Sequence, residues 1–242
     1  MMKNKKSTLN KVIYIVLALS LVLGLVLSAA YGLFDVIRDG RAAATSPDDV
    51  VALVNGEEII RRDYTLQLEQ TKASYEMQGI DLRSRESQEL LQQLEYFVLE
   101  DLINQKLVIQ KAREENMQVN QEEIQEEYEE TVSLFENEEQ LVSQLADMNL
   151  TLEDFKTLIE EQLLYYQYLE EYMERVDPKE LEVSPEEIET LYSLYSSQYQ
   201  DMPDYEEVQQ ELEEELRWQK HDEVVKLLMN KIREDSEIKI LL

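Results

Sequence analysis

The sequence predicts a mainly α-helical protein, with one N-terminal transmembrane helix and a multi-helix body closed by a small β-sheet. Three observations carry this. All five Gly of the 242 residues lie at or before Gly79, so the 163 residues that follow contain none; such a stretch suits long helices and argues against a turn-rich β fold. Apolar residues recur through it at spacings of three and four, the helical period. Segments with strand character occur only at the two ends of the part beyond the first 49 residues.

Taken in order, Lys3, Lys5, Lys6 and Lys11 precede Val12 to Phe34, a run of 23 residues without a charge. About 20 helical residues cross the hydrocarbon core. The basic side stays cytoplasmic, so the chain after Phe34 is expected outside the cell membrane as a single-pass protein. Two readings of this segment stay open: a signal anchor, or a signal peptide cleaved near Ser28-Ala29-Ala30 that would leave the rest secreted. Residues 35–49 read as a linker of Asp, Gly, Ala, Ser and Pro47 without apolar period.

The folded part is expected over 50–242. Val50 to Val54 is a β-branched strand, Asn55-Gly56 fits a type I′ turn, and Glu57 to Ile60 is the return strand. A hairpin alone is marginal, and the alternating Ile238, Ile240 and Leu242 at the far end offer a third strand. Helices are expected over about 62–78, 85–115, 121–135 after an Asn120 cap, and 138–147. Thr151 with Asp154 resembles a capping box and opens a helix whose stripe runs Phe155, Ile159, Leu163, Tyr166, Leu169 and Met173. Ser184-Pro185-Glu186-Glu187 is a full helix start, followed by Ile188, Leu191, Tyr195 and Tyr199. A last long helix is expected over about 204–234.

Composition excludes several functions. With 23 Lys+Arg against 53 Asp+Glu the net charge is −30, which rules out a basic groove for nucleic acid. Residues 1–41 hold six basic and two acidic residues, so the other 201 carry −34. A part this acidic is repelled by anionic lipid and stands off the surface. There is no Cys and one His, His221, which leaves almost nothing for thiolate metal sites or His-paired nucleophiles. No Gly-rich phosphate loop follows a strand. The acidic run from Gln121 to Glu130 lacks calcium-loop spacing and reads as a solvated helix face. No catalytic residue, metal ligand set or cofactor is expected.

The stretches Val51-Ala-Leu-Val-Asn-Gly-Glu-Glu-Ile-Ile60, Leu102-Ile-Asn-Gln-Lys-Leu-Val-Ile-Gln-Lys-Ala112, Val119-Asn-Gln-Glu-Glu-Ile124, Leu152 to Leu164 and Val183-Ser-Pro-Glu-Glu-Ile188 together resemble, in order and spacing, the N-terminal chaperone domain of the SurA/PrsA group of exported folding factors. In the best-known members a parvulin-type prolyl isomerase domain sits between the helix after Val183 and the last long helix. Here only about Gln200 to Pro203 separates the two, too little for a domain of about 100 residues. The resemblance therefore implies a chaperone body without the isomerase: an ATP-independent holdase for unfolded exported proteins. A homo-oligomer is admitted. The alternative is a non-catalytic acidic module that docks one envelope partner.

The 14 Tyr supply the candidate contacts. Tyr166, Tyr192 and Tyr195 lie on apolar stripes and read as core. Tyr165, Tyr168 and Tyr172 lie off the main stripe and, with Tyr199 and Met173, are the candidates for holding unfolded segments, since Tyr joins a large ring to few rotors. Met77, Met148 and Met202 could add compliant apolar surface. Trp218 is expected to anchor the last helix, and His221 to be a surface residue.

Overall fold

Asn55 and Gly56 both take positive φ, +51° and +86°, the backbone that a two-residue type I′ turn demands. They join β1 (Val50–Val54) to β2 (Glu57–Ile60) in an antiparallel hairpin. The computed structural model describes residues 46–242 apart from 83, 85, 86, 149, 200 and 201. The expected membrane segment, Val12 to Phe34, lies outside the described residues, among which no helix is long and apolar enough to cross a membrane.

The C-terminal strand β3 (Ile238–Ile240) pairs antiparallel with β1, so the sheet order is β2-β1-β3. The two ends of the folded part thus meet in one sheet, as their strand character predicts. Register shifts between Val50 and Ala52; the bulge breaks strict alternation, and both Val51 and Ala52 are buried.

Seven helices lie between β2 and β3 among the described residues: α1 (Arg61–Met77), α2 (Gln88–Glu114), α3 (Gln121–Ser133), α4 (Glu138–Asp147), α5 (Leu152–Arg175), α6 (Pro185–Gln198) and α7 (Tyr205–Glu234). Their starts are set locally. Asn120 Oδ1 accepts from Glu122 N at 3.0 Å and Asn137 Oδ1 from Gln140 N at 2.9 Å. Thr151 and Asp154 bond reciprocally, at 2.8 and 3.1 Å. Ser184 and Glu187 close a full capping box, and each such cap is worth about 1 kcal/mol.

The described chain forms two units. The first holds the residues up to Tyr168 with Ser236–Leu242; the second is Leu169–Asp235. In the first, α2 is the central helix. Leu107, Val108, Ile109 and Gln110 are all buried, and four successive residues point all round a helix, so α2 is enclosed as its wide apolar stripe predicts. Gln110 satisfies its buried amide through the sheet: Nε2 donates to the Val54 carbonyl at 2.9 Å, and Oε1 accepts from Asn55 Nδ2 at 2.9 Å. Asn55 also exchanges bonds with the backbone of Glu237, whose N–H donates to Asn55 Oδ1 at 2.7 Å. One turn residue therefore ties hairpin, central helix and closing strand together.

In the second unit, Ile188, Val208 and Leu212 form a buried cluster between α6 and α7, with Leu191, Tyr192, Tyr195 and Tyr205 packed on it. The Tyr192 hydroxyl donates to the Pro203 carbonyl at 3.0 Å. Lys220 of α7 bridges to Glu187 at 2.7 Å and to the Glu182 carbonyl at 2.8 Å, which fastens α7 to the start of α6.

Candidate functional site

The buried face of α5 changes sides along its length, and this decides which tyrosines are presented. Phe155 and Ile159 are buried in the first half, Leu164 and Tyr168 in the next. From Phe155 to Leu164 is nine residues, two and a half turns at about 3.6 residues per turn. The second buried stripe therefore lies on the opposite side of the helix from the first. The stripe expected through Tyr166 and Met173 stays only half-buried.

This corrects one candidate outright. Tyr168 is 4% exposed, and its hydroxyl donates to Glu115 Oε1 at 3.3 Å; it serves packing between α5 and the end of α2, not an open surface. Tyr165 is half-buried in edge contact with Tyr166, ring centres 5.1 Å apart. Burial, with the Asp101 carboxylate adding to it, pushes the Tyr165 phenol up to about 12. Asp101 is itself raised by burial against the opposing bond from Gln105, which donates to it at 2.7 Å.

In the second unit, Tyr172 and Met173 are half-buried. Tyr199 is 61% exposed, at the end of α6, with its ring on Tyr195 at 6.1 Å. Trp218, expected to anchor α7, is instead 60% exposed, in edge contact with the exposed His221. The buried positions of α7 are Val208, Leu212, Val224 and Leu228, and Trp218 is not among them. Met148 is buried, so it adds no surface, whereas Met77 is exposed.

Two exposed aromatics escaped the sequence reading. Tyr96 and Phe97 stand side by side on α2, each 63% exposed. Val98 and Leu99 follow them directly and are buried. The pair reads as part of an unbroken apolar run, and nothing local marks where the covered face ends.

Between α3 and α5 lies a cleft of about 760 Å³. Ile124, Tyr128, Val132 and Leu152 give it apolar walls; Glu129, Glu138, Glu153 and Glu160 rim it. Tyr128 packs on Phe155 with ring centres 6.4 Å apart and donates its hydroxyl to Glu138. Burial first, then that carboxylate, pushes the Tyr128 phenol up to about 12. Lys156 Nζ lies 4.5 Å from the Tyr128 ring centre, in cation–π range. In the second unit a smaller groove of about 400 Å³ is lined by Leu191, Leu194 and Leu216 with Glu186 and Glu187. Among the described residues no group of three or more His, Cys, Asp or Glu is placed to hold a metal ion.

The comparisons with known proteins agree with this architecture. The family model of the SurA-like N-terminal domain matches residues 1–169 of the 242. The foldase protein PrsA of Caldanaerobacter subterraneus subsp. tengcongensis is 30% identical over 159 residues, covering 64% of this chain and 45% of the relative. The foldase protein PrsA of Clostridium kluyveri is 30% identical over 166 residues, covering 63% and 48%. The chain spans about half the length of these curated relatives. With its hairpin, helical body and closing strand, the chain belongs to the SurA-like N-terminal domain family of chaperones and foldases.

Proposed function

We propose that this protein is an ATP-independent holdase, tethered to the outer face of the cell membrane, which keeps unfolded exported proteins from aggregating and has no prolyl isomerase activity. One observation carries the reading. Tyr96, Phe97, Tyr199 and Trp218, all about 60% exposed, stand on a protein of net charge −30. Contiguous exposed apolar surface marks binding; Tyr96 and Phe97 supply two adjoining exposed rings on α2, and the acidic surround keeps such a protein soluble while drawing in cationic segments.

The family and the foldase relatives support a role in folding. The link between α6 and α7, from Gln198 to Tyr205, supports a chaperone body without an inserted isomerase, since a domain of about 100 residues does not fit there. The uncharged Val12 to Phe34 run supports the tether, which would raise the local concentration of the holdase where clients emerge.

The test is light scattering from a chemically denatured client diluted into buffer without nucleotide. The full chain, kept in solution with mild detergent, should suppress scattering. Scattering equal to that with an inert acidic protein of similar size would overturn the proposal. So would crosslinking in cells that captures one stoichiometric folded partner and no unfolded chains.

A further inference from the structure

The cleft between α3 and α5 joins three features that point to one kind of occupant. Its volume of about 760 Å³ falls within the range of ligand pockets, roughly 300–1,000 Å³. Its walls are apolar and aromatic. Four glutamates rim it against one lysine. Glu153, Lys156 and Glu160 sit at i, i+3 and i+7 on α5, which places them on one face of the helix.

The position of Lys156 is the telling detail. Its ammonium lies over the Tyr128 ring, and no carboxylate among the described residues is within ion-pair distance of it. The side chains of Glu153 and Glu160 likewise have no hydrogen-bond or ion-pair partner among the described residues. The cleft thus holds a cation on an aromatic face and, on the same face of α5, two carboxylates that make no ion pair among the described residues.

We propose that this cleft takes a short extended segment of an unfolded polypeptide carrying an arginine or lysine between apolar residues. The incoming cation lies on the face of Tyr128 between Glu153 and Glu160, the place Lys156 fills in its absence. The apolar neighbours pack on Ile124, Val132 and Leu152. This deepens the holdase reading and rests on it. Charge complementarity selects the occupant: acidic segments are repelled by the rim, and neutral ones leave the glutamates facing the cleft uncompensated. Arginine is favoured over lysine because its planar group stacks on the ring while bonding a carboxylate in its plane.

The experiment measures fluorescence anisotropy of a labelled peptide alternating arginine with leucine, and of its counterpart with glutamine at each arginine, against the full chain in mild detergent. K156Q removes the internal competitor and should tighten the arginine peptide roughly two- to fivefold, the range of an exposed cation–π contact, without tightening the glutamine peptide. E153Q/E160Q should weaken the arginine peptide about threefold or more. E206Q/E207Q, the same charge change on α7, should weaken it far less. Lys156 and both glutamates are at least partly exposed, so these variants keep the fold, which thermal unfolding verifies.

Equal or weaker arginine binding in K156Q overturns the proposal, as does equal weakening by the two glutamine pairs. Suppressed client aggregation without a cleft-dependent peptide response would overturn this inference alone. A cleft-dependent peptide response without suppression would overturn the holdase reading alone.

Discussion

Asn55 is the residue whose replacement tests the architecture most sharply. Its backbone needs φ near +51°, its Nδ2 donates to buried Gln110, and its Oδ1 accepts from Glu237 N. Asn55→Gly keeps the φ but removes these side-chain bonds, together with a long, exposed one from Nδ2 to Ser236 Oγ at 3.4 Å. The Glu237 amide can turn to water, so its loss costs about 1 kcal/mol; Gln110 Oε1 is buried and left unpaired, which costs about 1–3 kcal/mol. Relief of the left-handed strain and the added freedom of the unfolded chain roughly cancel. The sum is about 2–4 kcal/mol. Asn55→Ala loses the same bonds and adds about 1–2 kcal/mol for a β-carbon in the left-handed region. The one tryptophan, Trp218, is exposed and lies in the second unit, so its fluorescence is blind to this change. Native-state hydrogen exchange at the amides of β1, β3 and α2 reads it directly. The expected order of protection is wild type, then Gly, then Ala. A glycine variant within about 0.5 kcal/mol of wild type, a change no larger than at an ordinary surface site, would refute the clamp. An alanine variant as stable as the glycine one would refute the backbone argument.

Replacing Tyr96 and Phe97 together by serine removes two exposed rings; stability should change by no more than about 0.5 kcal/mol, while light scattering shows weaker client protection. Leu141→Ala empties a fully buried position on α4 and should cost about 2–5 kcal/mol in urea unfolding. The Glu187 carboxylate is held down to about 2 by the Lys220 ammonium first and by the Ser184 amide and hydroxyl next, against an ordinary value of 4.5. Its folded value is the lower one, so its stabilisation is present above about pH 4.5 and is lost as pH falls towards about 2. Melting temperatures of wild type and Glu187→Gln should therefore differ near neutrality and converge at the acid end; parallel curves would contradict the assignment.

Those parts of the fold that depend on near neighbours were legible in the sequence. Asn55-Gly56 can turn a hairpin without strain, and Asn120, Thr151 and Ser184 each carry an oxygen placed to take an amide from the first turn. The closing strand was legible because β-branched alternation reappears only at the far end. What escaped is non-local. The bonds of Asn55 to Gln110 and Glu237 span 55 and 182 residues. A pair pattern within one element carries no trace of them.

The candidate site was less legible for the same reason, and α5 shows why. A stripe at spacings of three and four assumes that a helix faces one partner throughout. Between Ile159 and Leu164 the partner changes: the first half of α5 meets Tyr128 of α3 through Phe155, whereas Tyr168 reaches Glu115 at the end of α2. The apolar residues follow the partner around the helix. The extrapolated stripe then places Tyr168 outside when it is sealed, and gives no sign that Lys156 rests on a ring from another helix. Charge counting misleads in the same place. Glu129 belongs to the run that reads as a solvated helix face, yet folding sets it with Glu153 of another helix around one cleft where their fields add over apolar walls. A field shared across two helices acts more strongly at a low-dielectric wall than the same charges spread along one solvated face. The selectivity proposed for the cleft arises from that convergence, which no single helix contains.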